Sequence, residues 1–270
     1  LLRSLALGSQ GGDFTVTSTD GTSLSTRQTG EGTPVVLVHG TLDGIGSFSF
    51  VELQLAERYD VWIYDRRGRG GSTDADDYTL DREVDDLRAV MAATGAMPHV
   101  VGHSYGAVIA LQAAMAGVEM RSLVAYEPPM NSDAVPEAHV DEIRRAVDEG
   151  RTDDAIAMRA RDLAGVSDDE LSVAMSVPPV RKHLRDGVRT AARELEAIRT
   201  CDWGGLPLTD VPTLVLRGER NTSDAYPTEK QAADIATDVE IATLAGQGHL
   251  GQTFAPSAFA DSVLTFLDQH

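Results

Sequence analysis

The chain has 270 residues, 42% of them apolar and 24% charged, which suits one globular domain with a sizeable core and room for an insertion. It carries 42 acidic against 23 basic residues, a formal net charge of −19, and so acidic a surface repels phosphate backbones and anionic membranes, which argues against nucleic acid as a partner. A single cysteine, Cys201, excludes an intrachain disulfide, and no apolar run approaches a membrane span.

The first twelve residues hold one cation, Arg3, and no cleavage site, so an ordinary terminus and a cytoplasmic protein are expected. Residues 13–29 alternate polar and apolar around Asp20-Gly21, the pattern of a β-hairpin. Val35-Val36-Leu37-Val38, ending in His39-Gly40, is a continuous apolar run of the kind buried on both faces of a parallel sheet. A helical period over residues 47–58 follows. Val61-Trp62-Ile63-Tyr64, ending at Asp65, is the second run, and a helix is expected over 80–94. His99-Val100-Val101-Gly102 is the third run, followed by a helix over 105–116 and a strand over 122–126.

The alternation then stops. Between Met130 and Gly205 there are four charged helical segments, 139–148, 153–163, 168–175 and 180–198, and no strand-like run. Strands at 213–216 and 241–244 and helices at 228–237 and 258–267 complete the chain. The expectation is an α/β fold: a mostly parallel sheet covered by helices on both faces. A helical cap, residues 130–204, is inserted in a core made of residues 1–129 and 205–270.

Gly102-His103-Ser104-Tyr105-Gly106 matches G-x-S-x-G between a strand and a helix, the setting that the motif requires. A sharp turn there places the serine Oγ free at the carboxyl end of the sheet. It also lies at a helix N-terminus, which favours developing negative charge. Ser104 is the candidate nucleophile, and the backbone N–H of Tyr105, next in the chain, is one candidate oxyanion donor.

Three further motifs accompany the elbow. Val36-Leu37-Val38-His39-Gly40, the stretch from Tyr64-Asp65-Arg66-Arg67-Gly68 to Arg69-Gly70-Gly71-Ser72, and Gly246-Gln247-Gly248-His249 stand in that order around it. With the elbow they make the chain resemble the α/β-hydrolase superfamily from about residue 30 to residue 270, apart from the inserted helices. The resemblance implies that His249 is the general base, taking the Ser104 proton and returning it to the leaving group. It places the second oxyanion donor on the residue after His-Gly, Thr41, with Leu42 as an alternative. His39 and His103, inside motifs, are expected to support loops. The usual position of the acid, three residues past Gly218, holds Asn221, and an amide cannot stabilise an imidazolium. Glu127, directly after the strand at 122–126, is the candidate acid, with Asp224 or no acid as alternatives. This placement resembles that of haloalkane dehalogenases and fungal zearalenone lactonases.

The expected activity is hydrolysis of a small apolar carboxylic ester or lactone through an acyl-Ser104 intermediate, without metal or cofactor. Carbon–carbon bond hydrolysis or perhydrolysis by the same residues, and a slow-turnover receptor, are the alternatives. Met130, Met158, Met175 and Trp203 are either pocket-lining or packing residues, packing being the commoner use of methionine.

Overall fold

The computed structural model describes residues 12–201, 203, 210–221, 223, 224, 226, 227, 231 and 238–270. Eight strands form one sheet: β1 (Asp13–Thr17), β2 (Ser23–Thr29), β3 (Pro34–Val38), β4 (Asp60–Tyr64), β5 (His99–His103), β6 (Leu123–Tyr126), β7 (Thr213–Gly218) and β8 (Val239–Leu244). Their spatial order is β1-β2-β4-β3-β5-β6-β7-β8. The expected hairpin forms with Val16 opposite Leu24, and β2 also pairs antiparallel with β4. All other pairs are parallel. The continuous apolar runs become strands because both sheet faces are covered. Every residue of β3 and β5 is buried, whereas β8, at the sheet edge, is largely open to solvent.

Among the described residues one face is covered by α1 (Ser49–Leu55) and, at the end of the chain, α9 (Pro256–Leu267). They bury Val51, Leu55, Phe259 and Val263 against Val35, Leu37 and Val101 of the sheet. Fully burying such side chains contributes about 1.5–3 kcal/mol each. The other face carries α2 (Leu80–Ala93), capped by the Thr79 side chain, and α3 (Tyr105–Met115). The helix expected over 228–237 lies outside the described residues, apart from residue 231. Among the described residues no helix is long and apolar enough to cross a membrane.

Between β6 and β7 stand α4 (Glu137–Asp148), α5 (Thr152–Ala157), α6 (Asp168–Ser176), α7 (Pro178–Gly187) and α8 (Ala191–Arg199). Their apolar faces, including Val140, Ile143 and Leu195, share one cluster with Val108 and Leu111 of α3. The inserted helices therefore pack directly on the sheet-covering layer. Two details differ from the periodicity. Residues 153–163 begin as α5 but continue as a π-turn, Met158–Leu163. Residues 180–198 are two helices joined by a 3₁₀ turn, Val188–Thr190. The break follows from competition for a carbonyl: Arg69 Nη1 and the Thr190 hydroxyl both donate to Gly187 O.

Candidate active site

Ser104 sits between the end of β5 and the first turn of α3 with φ 54° and ψ −121°, a conformation that costs an L-residue free energy and persists only where the surroundings enforce it. The enforcement is visible in the neighbours. A Cβ on Gly102 would lie 2.5 Å from Ala107 Cα, and one on Gly106 would lie 2.1 Å from Val38 O. Strand, serine and helix can close up only because both positions are glycine. Ser104 N donates to Tyr126 O of the adjacent strand at 2.9 Å. The serine does not stand free as expected. It is 1% exposed. Its Oγ has no hydrogen-bond partner among the described residues.

His249 follows β8 in the turn expected for it and is 4% exposed. Its Nδ1 lies 2.8 Å from Glu127 Oε2. Glu127 directly follows β6, has φ 48°, and is 1% exposed. The Glu127 carboxylate also accepts from Gly218 N at 2.7 Å and from Asn221 Nδ2. Asn221 thus donates to the carboxylate from the place where the resemblance put an acid. Asp224 is exposed, and its backbone carbonyl accepts from Asn131 Nδ2 at 3.0 Å. With Nδ1–H given to Glu127, His249 Nε2 is left as the acceptor. Burial, reinforced by His103 and Arg159 and opposed by Glu127, pulls the His249 imidazole below its ordinary value of 6.5.

Nε2 meets the Tyr226 hydroxyl at 3.2 Å, with the two rings 4.9 Å apart. Ser104 Oγ and His249 are not joined by a hydrogen bond. Catalytic hydrogen bonds are commonly long or misaligned before substrate binds. The backbone of the histidine turn is held from below: His103 Nε2 lies 2.9 Å from His249 O, and the Tyr126 hydroxyl donates to Gly248 O. His103 thus has the supporting place expected of it.

Tyr105 follows the serine in the chain, and Gly40, just before Thr41, lies against it, since a Cβ on Gly40 would be 3.0 Å from Ser104 Cβ. Tyr105 is the first residue of α3, whose opening amides have no acceptor within the helix. Thr41 follows Gly40, and Leu42 after it has φ 69°. This loop is tied down by Arg66, which donates to His39 O at 3.0 Å and to Gly40 O at 3.1 Å. His39 Nε2 accepts the Arg66 amide at 3.1 Å. Arg66 is fully buried and paired with Glu83 at 2.6 Å and Glu194 at 3.0 Å. Glu194, on α8, also accepts from Arg69 at 2.5 Å and from Thr190 at 2.9 Å. Burial alone would raise the Glu194 carboxyl, but Arg66 and Arg69 hold it well below the usual carboxylate range.

Thr41, Leu42, Asp43, His103 and His249 open on a cavity of about 70 Å³, room for roughly two waters at liquid density. The inserted helices roof it with Ile156, Ala160, Leu171 and, alone among them in carrying a charge, Arg159. Met130, Met158, Met175 and Trp203 pack in the main cluster and do not line this cavity. A wider groove of about 690 Å³ between Tyr78 and Glu196 contains none of the candidate residues.

Two residues in the site carry no motif. Tyr226 leaves no local signal in the sequence. Arg159 does leave one: it lies three residues after Ile156 on the stripe of Ile156, Ala160 and Leu163, a cation on an otherwise apolar helical face.

A sequence model of the alpha/beta hydrolase family matches residues 35–262. The structure of an alpha/beta hydrolase from Sphaerobacter thermophilus DSM 20745 superposes with TM-score 0.81 at 30% identity, covering 94% of this chain and 100% of that one. The enol-lactonase from Burkholderia xenovorans LB400 superposes with TM-score 0.77 at 20% identity, covering 94% and 100%, a likeness of fold. N-formylmaleamate deformylase from Pseudomonas putida KT2440 is 35% identical over 130 residues, 44% of this chain and 48% of that protein. The match thus spans about half the length of that relative, and still less of others.

Proposed function

The chain belongs to the alpha/beta hydrolase family, and we propose that it is a serine hydrolase that cleaves a small carboxylic ester or lactone through an acyl-Ser104 intermediate. The observation that carries this reading is the 2.8 Å contact between His249 Nδ1 and Glu127 Oε2 beside a serine in a strained strand-to-helix turn. In the proposed reaction His249 turns from Tyr226 to Ser104 and takes the hydroxyl proton. Ser104 Oγ attacks the carbonyl carbon, and the Thr41 and Tyr105 amides receive the developing oxyanion. The protonated imidazole then gives its proton to the leaving alkoxide. A water, deprotonated in turn by His249, releases the acid and restores the serine. Glu127 keeps the imidazole in the tautomer that accepts at Nε2 and stabilises its charge in each transition state.

The division of labour between segments is part of the proposal. Residues 1–129 and 205–270 carry the chemistry, and residues 130–204 act as a cap that keeps water out and shapes the acyl pocket. The serine argues against epoxide opening and dehalogenation, for which the superfamily places an aspartate there. A relative named as a deformylase is consistent with chemistry at an acyl carbon.

The test is turnover of p-nitrophenyl acetate followed by mass spectrometry of the quenched enzyme. A burst of p-nitrophenol and an acetyl group on Ser104 are expected. Ser104→Ala should lose the burst and roughly 10⁶-fold in kcat, the scale at which triad members act together. Turnover by folded Ser104→Ala within tenfold of the parent would contradict the reading.

A further inference from the structure

Arg159 enters the cavity from the π-turn of the inserted helices. It is 4% exposed, its Nε has no partner, and its guanidinium makes no hydrogen bond or salt bridge among the described residues. An arginine cannot shed its charge as a buried lysine can, and an uncompensated buried charge is strongly unfavourable. Tyr226, Glu194 and Asp43 act on it through charge, but neither carboxylate pairs with it. Glu194 is shared by Arg66, Arg69 and Thr190, and Asp43 lies 3.3 Å from His103 Nδ1. The inserted helices' side of the cavity is otherwise apolar, with Ile156, Ala160, Val166 and Leu171, and the opposite side carries Thr41, Asp43, His103 and His249.

We propose that Arg159 binds a carboxylate of the substrate, so that the acyl compound cleaved at Ser104 carries a second, free carboxylate a few bonds from its scissile carbonyl. The clause about cleavage rests on the ester or lactone reading; the carboxylate site stands on Arg159 alone. A planar guanidinium matches a carboxylate bidentately. A cavity of about 70 Å³ that holds both Arg159 and His249 keeps the spacer short. The substrate is then not wholly apolar, as the sequence led us to expect, but anionic at one end. One buried cation supplies locally what a net charge of −19 withholds globally. The acyl end meets Ser104, the anionic end meets Arg159, and the apolar wall accepts the methylenes between them.

The test pairs hydrolysis of monomethyl succinate with that of methyl 4-methylpentanoate, in which an isopropyl group replaces the carboxylate. Calorimetric binding of succinate is measured alongside. The parent enzyme should prefer the charged ester in kcat/KM by on the order of 100-fold, the scale of a buried charged hydrogen-bond pair. In Arg159→Met that ratio should collapse toward one and succinate binding should vanish, whereas Arg159→Lys should keep part of both. A ratio near one in the parent, or succinate bound equally by parent and Arg159→Met, overturns the proposal. If neither ester is cleaved, the hydrolytic reading falls and calorimetry still decides the site. Arg159-dependent succinate binding then upholds it, and no binding refutes it.

Discussion

Arg66 and Arg159 are both withdrawn from water, at 0% and 4% exposure, yet their surroundings are opposite. Arg66 has two carboxylates and two backbone carbonyls, while Arg159 has no partner among the described residues. The first lies beneath the loop that carries Thr41, and through Glu194 it fastens α8 to that loop. The second lies in the roof of the cavity. A buried charge that the chain neutralises itself serves position, and a buried charge left open is available to a ligand. The same division separates the two ends of the candidate site. Glu127, with donors from Gly218, Asn221 and His249, is saturated, and Ser104 Oγ is unpartnered.

Removing an acid from the cage gives the strongest test of that division. Glu194→Leu should cost about 3–5 kcal/mol of stability, because it leaves Arg66 and Arg69 short of charge in a dry interior. Chemical denaturation of the variant measures this, and a loss under 1 kcal/mol would mean that the cage is not what fastens α8. An intermediate effect concerns pH. Only the neutral imidazole can accept the Ser104 proton, and burial favours the neutral form of His249. The acidic limb of kcat/KM against pH should therefore fall below 6.5, with activity lost only as pH drops through that lowered value. A limb at or above 6.5 would show that the histidine is not held in a dry pocket. The smallest effect belongs to the open charge. Arg159→Met should leave stability within about 1 kcal/mol or raise it, since an apolar group of similar size relieves an unpaired buried ion. A loss comparable to that of Glu194→Leu would erase the distinction between the two arginines.

Much of this arrangement is legible in the sequence where the signal is local. The elbow needs only a β-branched run, two glycines and a helix start, all within residues 99–116. The Glu127–His249 contact is legible from the asparagine at position 221, which directs attention to the other strand end. The part that Asn221 takes, donating to the carboxylate, is not, because it depends on how the segment after β7 folds back across β6. Tyr226 reaches Nε2 for the same nonlocal reason. The periodicity of 180–198 hides a break because the competitor for the Gly187 carbonyl, Arg69, lies more than a hundred residues away. Arg159 stands between these cases: its place on an apolar stripe is visible in the sequence, and its lack of a counter-ion is a property of the tertiary structure.

The central claim is that Glu127, from the end of β6, serves His249 as the acid. Steady-state kinetics of Glu127→Gln beside Asp224→Asn, with a turned-over short ester, tests it most directly. The account predicts that Glu127→Gln lowers kcat by roughly 10⁴ with little change in KM, the cost of leaving the imidazole in the wrong tautomer, while Asp224→Asn stays within about twofold of the parent, as expected of an exposed carboxylate that makes no hydrogen bond to the histidine. Near-parental kcat in a folded Glu127→Gln, with the large loss falling on Asp224→Asn instead, would contradict it.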